Sequence, residues 1–158
     1  MKTSRSKEKD IFARRPVLEL RASLNRLDIA AEADIAGLES FMEATIAAAM
    51  MIAYADGEAD PAERRRIISL FRANPVLQRF SAEDVAREIA AHSQAFERDH
   101  QSAFAHARAQ IVITDLTSEQ FGALMQVCVS VIEADGVRHP AEELALEQVA
   151  LLRPWGHR

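Results

Sequence analysis

Apolar residues in this chain recur every three or four positions, the spacing of a helix face, and nowhere alternate as a strand would. The first run, residues 17–27, is apolar at 17, 18, 20, 24 and 27 and predicts a short opening helix. A longer helix is expected over residues 35–55, with Leu38, Phe41, Met42, Ile46, Ala49, Met50 and Ala53 on one broad stripe. Asp56-Gly57 closes it, because glycine takes the left-handed conformation after a helix without a Cβ clash. Asp60-Pro61-Ala62-Glu63 opens the next helix: Asp60 caps, proline suits the first helical position, and Glu63 stands three residues after the cap. That helix carries Ile67, Ile68, Leu70 and Phe71 and stops near Asn74-Pro75.

Ser81 starts another helix, with Val85, Ile89 and Phe96 inward, and a break near Asp99 precedes a helix over residues 101–112. Thr117-Ser118-Glu119-Gln120 is a capping box. It opens a helix with Phe121, Leu124, Met125, Cys128, Val131 and Ile132 on one face, closed by Asp135-Gly136. His139-Pro140-Ala141-Glu142 begins the last helix, whose expected inner residues are Leu144, Leu146, Val149 and Leu152. The class is all-α, a bundle of about seven helices.

Two of these hinges are copies of each other. Residues 55–63 recur as residues 134–142, identical at Ala, Asp, Gly, Pro, Ala and Glu. The flanking stripes keep register: Met42 aligns with Phe121, Ile46 with Met125, Ile52 with Val131, Ile67 with Leu146 and Leu70 with Val149. A duplicated helix–hinge–helix unit, packed about a pseudo-twofold axis, accounts for both hinge and stripe.

Composition narrows the function. At 49% apolar and 27% charged, the chain reads as globular, and its 158 residues suit one domain. The net charge of -5 hides an asymmetry. Residues 1–30 hold eight Lys/Arg against four Asp/Glu, whereas residues 31–158 hold eleven against twenty. An acidic body argues against nucleic acid, which needs a basic face. The basic start, with Lys2, Arg5, Lys7 and Lys9, reads as a flexible segment over residues 1–15, ahead of a helical domain over 16–158. No run reaches the ~18 uninterrupted apolar residues of a membrane span; the longest candidate, residues 44–55, lies between Glu43 and Asp56. A lone Cys128 and no apolar core of a signal peptide lead us to expect a cytoplasmic protein.

The hinge acids are the candidate chemistry. Gly57, Gly136, Pro61 and Pro140 are accounted for as caps and first-turn residues, and Glu63 and Glu142 as members of capping boxes. Asp56 and Asp135 are not, since each sits at a helix C-terminus, where an anion costs about 0.3–1 kcal/mol. Either each carboxylate accepts a loop N–H in an Asx-turn, or a cation offsets the misplaced charge. Under the second reading Asp56, Asp60, Glu63, Asp135 and Glu142 are the candidate metal ligands. An oxygen-only set suits Ca²⁺ or Mg²⁺ over zinc. The spacing is not that of an EF-hand. In the second hinge Val137-Arg138-His139 replaces Glu58-Ala59-Asp60, so one asymmetric site is easier to build than two.

Other chemistry is thin. His92, His100 and His106 lack the i, i+4 pairing of a zinc helix, Cys128 lies on an apolar stripe, and Arg64-Arg65-Arg66 reads as a solvated face. No phosphate loop or nucleophile elbow occurs, so a catalytic role is not expected, and no catalytic residue is assigned.

The two Ala-Asp-Gly hinges with their following Glu, the Phe96-to-Asp99 region and the Thr117-capped helix running into Ala134-Asp135-Gly136 resemble the TerB family over residues 38–152. TerB-like domains are tellurite-resistance domains also found in some membrane-anchored co-chaperones. The resemblance implies an all-helical duplicated fold, a divalent-metal site on the hinge acids, and a non-enzymatic role in tellurite or general stress resistance through protein partners. It also implies that some partners are membrane-associated, with the protein peripheral at the inner face of the membrane. The alternative is a metal-free structural or interaction domain whose hinge acids only cap helices.

Overall fold

A computed structural model describes residues 36–75 and 77–154, with Asp135 described by its backbone alone. The described residues from Glu39 onward form one compact unit. The opening helix expected over 17–27 and the boundary expected at residue 15 lie outside the described residues.

Among the described residues six α-helices follow in order: α1 (Ala36–Ala53), α2 (Pro61–Ala73), α3 (Ala82–Arg98), α4 (His100–Ile113), α5 (Ser118–Ile132) and α6 (Pro140–Ala150). Single 3₁₀ turns, Leu77–Arg79 and Glu133–Asp135, precede α3 and follow α5. There is no strand among the described residues. The chain is all-α, as its periodicity requires.

Helix boundaries follow the capping chemistry. Asp60 caps α2 in a reciprocal box with Glu63, and Thr117 caps α5 in a second box with Gln120. Ser81 caps α3 by accepting from the Asp84 N–H. Asp99 serves twice, ending α3 with its backbone N–H and capping α4 by accepting from the Ser102 N–H. Each cap of this kind contributes about 1 kcal/mol.

α1 is more deeply buried than a one-sided stripe predicts. Every residue from 44 to 54 is buried, including Thr45, whose hydroxyl donates to the Phe41 carbonyl at 2.7 Å. A helix apolar all round belongs in an interior, and the small side chains Ala44, Ala47, Ala48, Ala49 and Ala53 let its neighbours approach closely. With 18 residues and a mean hydropathy of 1.3, α1 is long and apolar enough to cross a bilayer; 67% of it is covered by the rest of the protein. Its contacts run to α3 through Tyr54 and Phe96, and to α4 through Glu43 and Gln110. Around it α2 packs on α3 and α5, α3 on α4, and α5 on α6.

The two arms of the repeat part company after the hinge. α2 buries Ile67 and Phe71, whereas α6 buries Glu142, Ala145 and Val149. The counterparts of Ala145 and Val149 are Arg66 and Leu70, one position before Ile67 and Phe71. One residue on a helix is about 100° of rotation. α6 therefore turns a different face inward, and Leu144, expected inside, is 57% exposed.

Candidate functional site: the paired hinges

Both hinges close the same way. Gly57 has φ 105° and its N–H bonds the Tyr54 carbonyl at 2.9 Å; Gly136 has φ 72° and its N–H bonds the Glu133 carbonyl at 3.2 Å. These are equivalent positions of the repeat, and both need the left-handed region that glycine adopts at least cost.

In the first hinge the acids point at backbone N–H groups. Asp56 Oδ1 accepts from the Glu58 N–H at 3.3 Å, the Asx-turn that the sequence offers as one account of this residue. Asp60 Oδ1 accepts from the Ala62 N–H at 2.9 Å, and Glu63 Oε2 accepts from the Asp60 N–H at 2.9 Å. Each bond engages one oxygen of its carboxylate. Among the described residues no three His, Cys, Asp or Glu side chains gather closely enough to hold a metal ion.

The second hinge differs in chemistry. His139 occupies the cap position, but its side chain makes no capping hydrogen bond, so Asp60's half of the box has no equivalent. Glu142 is buried in the first turn of α6, at 4% exposure, while its counterpart Glu63 is half-exposed. Asp135 lies in the 3₁₀ turn Glu133–Asp135. Arg138 reaches both Glu133 and Glu143 at 3.8 Å, straddling the loop. All three side chains are at least half exposed, so these pairs neutralise local charge and add little stability.

A family model described as tellurite resistance protein TerB matches residues 42–153, most of the chain and all of both hinges. The chain belongs to the TerB family. No curated protein and no solved structure shows a significant match. The TerB match begins inside α1 and ends just after α6, close to the span from 38 to 152 marked by the hinge motifs.

Within this TerB domain the structure adds contacts that sequence spacing did not show. His100 Nε2 lies 2.7 Å from the Tyr54 carbonyl, the same oxygen that accepts from Gly57, so the first hinge is tied to the start of α4. A carbonyl only accepts, hence Nε2 carries the proton. The His100 ring packs edge-on to Phe96 at 5.4 Å and lies stacked with Phe104 at 6.4 Å. Phe96 in turn stacks on Tyr54 at 4.7 Å with 8° between the rings. A histidine at the start of a helix gives no signal of a partner 46 residues away.

His92, on α3, is buried at 8% exposure. Burial, and secondarily the neighbouring His106, lower its pKa below the usual value of 6.5. The nearby Glu88 shifts upward through burial and through Glu43, partly offset by Arg87. A base with a depressed folded pKa stays neutral in the fold while the unfolded chain takes up a proton. Stability therefore falls as pH drops through and below the unfolded value. We expect the melting temperature to decline between about pH 7 and pH 5.5, and to decline less in His92→Gln. Glu88 acts in the opposite sense, at lower pH, in the carboxylate range. Parallel pH profiles for the two proteins would discount the His92 contribution.

Cys128 is fully buried, and burial pushes its thiol up to about 12. It is a core side chain and not a nucleophile. Arg65 and Arg66 are exposed, in keeping with a solvated face, and half-buried Arg64 lies 3.9 Å from Glu97 of α3.

Proposed function

We propose that this chain is a non-catalytic TerB-family module that contributes to resistance to tellurite or related stress through protein partners. The match to the family model over residues 42–153 carries this reading. The capped first hinge and the inert Cys128 support it, since both assign a structural task to groups otherwise available for chemistry. A cytoplasmic setting, with some partners at the inner face of the membrane, belongs to the same proposal. Deleting the gene in its host should lower tolerance to tellurite, and the full chain supplied in trans should restore it. Unchanged tolerance after deletion would reject the stress-resistance role.

A divalent cation at the hinges is the second reading. It rests on Asp56 and Asp135 occupying equivalent positions where their helices end, where the dipole disfavours a negative charge. The ligand set would be Asp56, Asp60, Glu63, Asp135 and Glu142, and Ca²⁺ or Mg²⁺ its occupant. A ligand at ten times its Kd stabilises by about 1.4 kcal/mol, or roughly 3–6 °C for a domain of this size. Asp56→Asn keeps the acceptor of the Asx-turn and removes the charge. Under metal binding it abolishes the shift and leaves the metal-free melting temperature unchanged or slightly higher. Under capping alone, wild-type protein in millimolar Ca²⁺ or Mg²⁺ melts as it does without metal.

A further inference from the structure

α4 is unusual for a helix at a surface. Between His100 and Ile113 it holds one formal charge, Arg108, and its apolar residues lie on two faces. The inner stripe, Ala103, Ala107 and Ile111, is buried. On the outer side Phe104 is half-exposed, Val112 is 60% exposed and Ile113 is 81% exposed. An ordinary amphipathic helix turns charged residues to water on that side. Here the outer face lines a groove of about 770 Å³, flanked by Gln148 of α6. Ala105 and Ala109 keep its floor low, and Arg108 stands between Phe104 and Val112. Among the described residues no carboxylate pairs with Arg108.

We propose that this outer face of α4 is the docking site for an amphipathic helix of a partner protein that carries an acidic residue midway between two large apolar ones. The proposal rests on the reading of the chain as a partner-binding module. Phe104, Arg108 and Val112 are spaced four residues apart, so they follow one line of about 12 Å along α4. A partner helix laid along that line meets it with apolar, acidic and apolar residues at i, i+4 and i+8. Charge selects this occupant over others. A symmetric α4-to-α4 pairing of two copies would bring Arg108 against Arg108, a like-charge contact that disfavours association. An anionic membrane recognises clusters of Lys and Arg, and this face has one arginine on an acidic body. A carboxylate answers Arg108 without leaving it buried and unpaired at the interface.

The test is selection from a phage-displayed library of helical peptides of ~15 residues, enough to span the line, against the full chain. Selected peptides should share an apolar–acidic–apolar pattern at i, i+4, i+8. Arg108→Glu should weaken them about tenfold or more, with binding regained by peptides whose acid is replaced by lysine. Ile113→Lys should also weaken them. Both side chains are exposed, so both variants should melt like wild type. No enrichment, selected peptides without the acid, or affinity indifferent to Arg108→Glu would each overturn the proposal. So would self-association lost in Ile113→Lys, or equally strong binding to phosphatidylserine vesicles. The two readings fail separately. If Arg108→Glu restores tellurite tolerance to the deletion strain as wild type does, the docking face falls and the module stands. If deletion leaves tolerance unchanged, the stress-resistance role falls whatever the peptides show.

Discussion

Phe71→Ala is expected to lower stability by about 3–5 kcal/mol, the range for emptying a buried aromatic position. For a domain of this size that is roughly 6–20 °C in melting temperature. Phe71 is 1% exposed on α2, whose neighbours are α3 and α5, so the cavity it leaves is walled by helices that cannot all close on it. Its counterpart in the repeat is Ala150, at the exposed end of α6. Ala150→Ser should change stability by no more than about 0.5 kcal/mol. A strict duplication would give the two positions similar weight, whereas the observed rotation of α6 gives them very different weight. Thermal melts of the two variants decide between these. Similar losses would mean that α6 packs in the phase of α2.

Tyr54→Phe is expected to raise stability, by about 1–2 kcal/mol, or roughly 2–8 °C. The Tyr54 ring is 2% exposed and stacked on Phe96, yet its hydroxyl is buried without a hydrogen-bond partner among the described residues. Burying an unsatisfied hydroxyl forfeits its hydration, and phenylalanine keeps the ring contact while removing that cost. The backbone carbonyl of residue 54, which accepts from Gly57 and faces His100, is untouched by the change. A fall in melting temperature would show that the hydroxyl has a partner in solution.

The hinges show how far local chemistry reaches. Asp60 with Glu63, and Thr117 with Gln120, could be paired from spacing alone, because a capping box closes within four residues. The Asx-turn at Asp56 is local in the same sense. His139 looked equivalent to Asp60 by position, but its ring makes no capping bond. Arg138 is visible in the sequence as a replacement for Ala59; that it spans Glu133 and Glu143 depends on how the loop is folded.

The order and ends of the described helices and the left-handed glycines were determined by the sequence, since each depends on groups a few residues apart that meet whatever surrounds them. Periodicity also marked the inner faces of α2, α3 and α5, whereas the face that α6 buries was decided by tertiary packing. The apolar stripe of α6 admits Leu144 or Ala145 as an inner residue, and packing in the bundle selects Ala145. α1 reads as one broad stripe until its neighbours cover every residue from 44 to 53. The tie between His100 and Tyr54, and the open apolar face of α4, likewise exist only once distant helices are brought together. Hydrogen bonds within one turn are specified by the chain's own geometry; contacts across the bundle are specified by whichever rotation of each helix excludes the most water.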